Sequence, residues 1–201
     1  MTVLKVKEGG VWKTLALPGP APLIPVVTAL PASPLDGQEV YLQNAAMASL
    51  GIIWRMRYRT AVVRWEFLGG AKWRIRSTGP YTASAAGAWE ALPTGLVARF
   101  TAPQAGTYRF LFGARFQVQV ATATESYLGI ALSNSPGSPI EYARQNTNSA
   151  SGVVYNHQSM EADSNLAAGA IVTLVANTQG AAGNVIFAVP WLQVEPVYLT
   201  G

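Results

Sequence analysis

The chain contains no cysteine and a single histidine, His157, which excludes a disulfide framework, a thiolate metal cluster and a thiol nucleophile. Charge is also scarce. Only 12% of residues are Asp, Glu, Lys or Arg, and so weakly charged a surface is more often covered in an assembly than left bare in water. No apolar run approaches the roughly 20 residues of a membrane span, and Met1 to Gly10 has no apolar stretch of the secretory kind. The expectation is a soluble chain without membrane insertion or export address. Walker loop, dinucleotide fingerprint, HExxH and GxSxG elements are absent too.

The positive charge that exists is unevenly placed. Residues 1–76 carry ten Lys and Arg against four Asp and Glu, and residues 77–201 carry four against six. The net charge of +4 therefore belongs to the N-terminal part.

Half the residues are hydrophobic, and their spacing is that of strands. In FTAPQAGTYRFLFGARFQVQV, residues 100–120, a turn on Pro103 and Gly106 precedes a long alternation. Tyr108, Phe110, Phe112, Ala114, Phe116, Val118 and Val120 take one side; Arg109, Gly113, Arg115, Gln117 and Gln119 take the other. Side chains of an extended strand point alternately to opposite faces, so this segment puts an aromatic stripe into a core. Further strands are expected at Leu96–Thr101, Tyr127–Ser133, Ile140–Arg144, Gly152–Met160, Ile171–Asn177 and Val185–Tyr198, with Gly, Pro, Asn and Ser at the turns. That spacing, with no helix between, favours an antiparallel double-sheet jelly roll.

The N-terminal part reads differently. Residues 2–7 and Val11 to Lys13 form a hairpin-like arm across Gly9-Gly10. Six prolines between Leu17 and Pro34 make the next stretch an extended connector, because proline fixes φ and removes donors. Glu39–Leu42, Ile52–Arg59 and Val63–Phe67 then alternate as a three-stranded meander with one aromatic face. Three short strands cannot enclose a core, so that face is expected to pack on the connector or on another chain. A flexible stretch is expected around Ser84 to Gly87. The fold class is all-β: arm and connector (1–25), small β-meander module (26–76), then an antiparallel jelly-roll β-sandwich (77–201).

Two resemblances refine this reading. The segments LVARFT (96–101), APQAG (102–106), TYRF (107–110) and LAAGAIVTL (166–174) resemble the jelly-roll head domains of the tumour-necrosis-factor and complement type, with Ala170 where those domains usually carry Asp. The resemblance implies a homotrimer with aromatic faces between subunits, for which Tyr108, Phe110, Tyr155 and His157 are the interface candidates. Residues VTALPASPLDGQEV (27–40), IWRMRY (53–58) and WEFLGG (65–70), followed much later by WLQVEPV (191–197), are similar to a module of minor tail and tail-tip proteins of tailed bacteriophages. That resemblance implies a virion protein assembled in the host cytoplasm. Its docking candidates toward other virion proteins are Trp12, Trp54, Arg55, Arg57, Arg59, Arg64 and Trp65.

Little in the sequence points to catalysis. His157 with Glu161 and Asp163 could hold a hard cation, but a polar loop after a strand accounts for them better. No metal and no cofactor are expected. Arg55, Arg57, Arg59 and Arg64 beside Trp54, Tyr58 and Trp65 could suit single-stranded nucleic acid. Alternation, however, separates arginines from aromatics onto opposite faces, which disfavours a stacking platform. The polar loops 133–139, 145–151 and 178–184 supply ligand candidates in Asn134, Asn146, Asn148 and Gln179, whose side chains suit sugar hydroxyls. The expected role is non-enzymatic: adhesion to a host glycan or protein by a trimeric head. The alternative is a purely architectural capsid-decorating or baseplate protein.

Overall fold

The long alternation at residues 106–118 forms the centre of a β-sandwich. In a computed structural model, residues 4–8, 11–15, 23–77, 79–82, 84, 86–92, 99–118, 124–133, 135–147, 154–179 and 185–200 are described. The N-terminal part supplies β1 (Leu4–Glu8), β2 (Val11–Leu15), β3 (Val26–Val27), β4 (Glu39–Leu42), α1 (Ala45–Ser49), β5 (Trp54–Arg59), β6 (Arg64–Gly70) and β7 (Trp73–Arg76). The remainder supplies β8 (Tyr81–Thr82), β9 (Glu90–Ala91), β10 (Arg99–Thr101), β11 (Gly106–Val118), β12 (Thr124–Leu132), β13 (Pro139–Thr147), β14 (Val154–Leu166), β15 (Ile171–Thr178) and β16 (Val185–Leu199).

Strand order identifies the architecture. One sheet runs β10-β15-β12-β13, with β9 also on β15; the other runs β14-β11-β16 and continues through β6, β5 and β4 to β3, with β7 and β8 also on β16. Taking β7 and β8 together as the first strand and β10 as the second, the sheets read 2-7-4-5 and 6-3-8-1. That is the double Greek key of an eight-stranded jelly roll.

Between the sheets lies the aromatic stripe. Tyr108, Phe110, Phe112 and Phe116 are completely buried. Phe100 on the facing sheet meets Trp73, Tyr108 and Phe110 at ring-centroid distances of 5.2, 5.1 and 6.0 Å. Edge-to-face contacts of this kind add about 0.5–1.5 kcal/mol each beyond the area they bury.

The last strand, β16, keeps its apolar side inward only by changing parity. Val185 and Phe187 are buried at odd positions, Leu192 and Val194 at even ones, and Leu199 at an odd one again. Two register shifts against β11 make the changes, between Gly113 and Arg115 and between Thr107 and Tyr108. Each inserts one residue, as a β-bulge does. The first places Val189 at φ 53°, a left-handed conformation that β-branched residues rarely adopt.

The meander of β4, β5 and β6 pairs antiparallel as expected, but it is not left to find a partner. Tyr198 and Leu199 of β16 pair with Glu66 and Trp65, and β7 pairs with β16 from Trp191 to Val194. The sheet thus passes from the meander into the jelly roll through the same strand. Trp54 and Trp65 are completely buried, and the Trp54 ring lies 6.3 Å from that of Tyr108.

Near Ser84, where a flexible stretch is expected, the described residues make contacts to β15 and to Glu90 of β9. The Gly87 N–H donates to the Thr178 carbonyl at 2.6 Å and the Ser84 N–H to the Glu90 carboxylate at 2.6 Å. The short helix α1, which no apolar periodicity announces, starts where Asn44 Oδ1 accepts from the Met47 N–H at 2.9 Å. This is an ordinary N-cap.

Candidate binding surface

The outer face of the β15-β12-β13 portion is organised in rows across the strands. Directly opposed residues of antiparallel strands share a face, and Tyr127 stands between Asn177 of β15 and Arg144 of β13. Two residues along, Gly129 stands between Val175 and Tyr142. Gly129 has no side chain, and the space above it is filled by Trp89: a Cβ there would come 3.4 Å from the indole and 2.7 Å from the Glu141 carbonyl oxygen.

Three rings therefore converge. Trp89 lies 5.9 Å from Tyr127 and 5.3 Å from Tyr142, and the two tyrosines lie 5.7 Å apart. Tyr142 is 45% exposed, and the other two rings are half-buried.

A polar end adjoins the rings. The Tyr127 hydroxyl donates to one carboxylate oxygen of Glu125, and Arg144 donates to the other. The Tyr127 hydrogen bond is the main reason the Glu125 carboxyl is held below its ordinary pKa; that same bond raises the Tyr127 hydroxyl. Glu125 is thus a fixed carboxylate whose orientation is set from two sides.

Two ligand candidates from the sequence come together here. Asn146 pairs in register with Glu125, and the N–H of exposed Gln179 donates to the Glu125 carbonyl at 2.8 Å. Asn134 and Asn148 lie outside the described residues.

The trimer-interface candidates divide. Tyr108 and Phe110 are a correction: both are completely buried within one chain, and the Tyr108 hydroxyl donates to the Gln104 carbonyl at 2.5 Å. The alternation, which reads as a stripe entering a core, describes them correctly; the resemblance that put them between subunits does not. Tyr155 and His157 have backbones paired with Gln117 and Arg115; their side chains lie outside what is described. Glu161 and Asp163, once grouped with His157, lie 3.1 and 3.0 Å from Arg109.

Among the docking candidates, Trp54 and Trp65 are likewise corrected to core residues, since their rings have no exposed surface to offer. The backbone of Trp12 pairs with Lys7, and its side chain lies outside what is described. The arginines are engaged locally: Arg55 with Glu39 at 2.6 Å, Arg57 and Arg59 with Glu66 at 3.7 and 3.4 Å, and Arg64 over the Tyr198 ring at 4.2 Å. The separation of arginines from tryptophans onto opposite faces is observed.

Exposed apolar side chains at the end of the β5–β6 hairpin were missed. Leu35, Val62 and Val63 are 76%, 47% and 71% exposed. The turn holding Leu35 is tied to the hairpin by the Thr60 N–H on Asp36 Oδ1 at 2.9 Å and the Gly37 N–H on the Tyr58 carbonyl at 3.0 Å.

Neither a family model nor a curated protein matches the chain. Among solved structures it is similar to Eiger TNF from S. frugiperda, at 13% identity and a TM-score of 0.40, covering 62% of this chain and 92% of that one. It is also similar to dimeric latent PorU from Porphyromonas gingivalis, at 11% identity and 0.39, covering 63% and 13%. A family 35 carbohydrate binding module from Clostridium thermocellum matches at 16% identity and 0.29, covering 61% and 92%. At such scores these likenesses add nothing to the topology read from strand order.

Proposed function

We propose that this chain is a non-enzymatic recognition protein of a tailed-bacteriophage virion, attached through its N-terminal region and presenting the jelly roll to a host-surface ligand. The observation that carries the recognition role is the exposed Trp89–Tyr127–Tyr142 cluster beside the fixed Glu125–Arg144 pair. Apolar rings bounded by oriented polar groups are how binding sites combine affinity with selectivity. Placement on a virion is supported by the resemblance of residues 26–75. Threefold self-association is supported by the jelly-roll resemblance alone, since Tyr108 and Phe110, two of the interface candidates, are internal to one chain.

A purely architectural role is the second reading. It is favoured by the exposed Leu35, Val62 and Val63, an apolar tip suited to a neighbouring virion protein. Particles lacking the protein separate the two. Intact particles that no longer adsorb to host cells support recognition, and particles that fall apart yet adsorb as wild type support architecture.

A further inference from the structure

This inference rests on the recognition reading and names the ligand of that face. Other concavities offer less chemistry. A recess of about 280 Å³ between Leu132–Ser133 and Gly169–Ile171 is lined mainly by apolar surface. A smaller one of about 40 Å³ lies along the ion pairs of Arg109 and Lys72. The outer face of β15-β12-β13 combines three converging rings with oriented polar atoms.

We infer that this face binds an uncharged saccharide, with a sugar ring laid on Tyr142 and Trp89 and its hydroxyls directed to the Glu125–Arg144 end. Three observations lead there. The first is size: three strands at about 4.8 Å spacing, over rows spanning four residues, give a patch roughly 10 by 13 Å. That suits one or two sugar rings and falls far short of the ~800 Å² per partner of a standard protein interface.

The second is charge. The site carries a carboxylate held ionised by Tyr127 and Arg144, and residues 77–201 hold six acidic against four basic residues. Such a surface does not attract polyanionic nucleic acid, but its acceptors suit hydroxyl donors.

The third is Asn177. It flanks Tyr127 on the same face, is only 5% exposed, and its Oδ1 has no hydrogen-bond partner. A buried acceptor left unpaired is costly and is retained where a ligand or water completes it.

The full chain, probed on an array of bacterial surface polysaccharides and neutral oligosaccharides, is expected to bind saccharide. Tyr142→Ala is expected to weaken titrated binding about tenfold without lowering the melting midpoint. Asn177→Leu is expected to weaken binding while holding or raising the midpoint, because it removes an unpaired acceptor. Labelled protein on host cells distinguishes the two levels of the argument. An array without signal, with equal binding to untreated and periodate-oxidised cells, overturns the saccharide and leaves recognition standing. Cell binding unchanged by Tyr142→Ala overturns the role of this face and the saccharide with it.

Discussion

The indole N–H of Trp54 donates to the carbonyl oxygen of Ala71 at 3.0 Å, whereas the indole N–H of Trp65, equally buried, has no partner. Phenylalanine substitution should separate them. Trp54→Phe loses volume and a hydrogen bond and is expected to cost about 2–4 kcal/mol. Trp65→Phe loses volume but also removes an unpaired donor, so its expected cost is about 1 kcal/mol. Denaturant unfolding of both variants measures the difference, and equal costs would refute the assignment.

Val63 closes the β5–β6 hairpin at φ 51°, with 71% of its surface exposed. A β-branched residue in the left-handed region is strained, and asparagine adopts that region at lower cost. Val63→Asn is therefore expected to stabilise the fold by about 1 kcal/mol, seen as a raised thermal midpoint. A lowered midpoint would show that the side chain supplies contacts that outweigh the strain.

Alkali should weaken the fold through its interior tyrosines. Burial pushes the Tyr108 hydroxyl well above its ordinary pKa, and burial with a contribution from Glu90 does the same for Tyr81. A group whose pKa is raised by folding contributes stability in full below the unfolded value, ~10 for tyrosine, and loses that contribution as pH climbs toward the folded value. Unfolding midpoints should therefore fall steadily above pH ~10. Tyr108→Phe should make that decline shallower, and a slope unchanged by the substitution would exclude Tyr108 as its source.

Surface charge should matter little to stability. Lys72 reaches Glu195 at 2.9 Å, with its side chain half exposed. Exposed pairs of this kind contribute about 0–1 kcal/mol and are screened by salt. Lys72→Ala is expected to cost less than about 1 kcal/mol, with the difference shrinking as ionic strength rises.

Much of the jelly roll was legible because its strands alternate strictly. The alternation expected from Tyr108 to Val120 is observed, among the described residues, as the strand Gly106–Val118, and Ile171–Asn177 as Ile171–Thr178. What alternation cannot say is which chain covers an apolar face. Tyr108 and Phe110 were placed at a subunit interface, and Trp54 and Trp65 at a docking face, by the two resemblances, the latter pair also because three short strands cannot cover a face; one nine-stranded sheet backed by a second hides all four. The bulges of β16 were missed because each shifts parity by one residue, which in sequence looks like imperfect alternation.

The aromatic cluster was illegible for another reason. Trp89, Tyr127 and Tyr142 come from three separate segments, and only the register between β12 and β13 sets Tyr142 opposite Gly129. Gly129 within an apolar strand was the available signal, since a strand glycine often marks the close approach of another group. Asn146 and Gln179 have backbones that flank Glu125 because strand ends gather at one rim of a sandwich.

Because β16 pairs with β6, β7 and β8 as well as with β11, contacts spanning more than a hundred residues must close before the large sheet is complete. Such high contact order slows folding to the millisecond-to-second range. Until then the meander's tryptophans stand in water, so a nascent chain halted short of residue 185 should be captured by chaperones rather than fold in part.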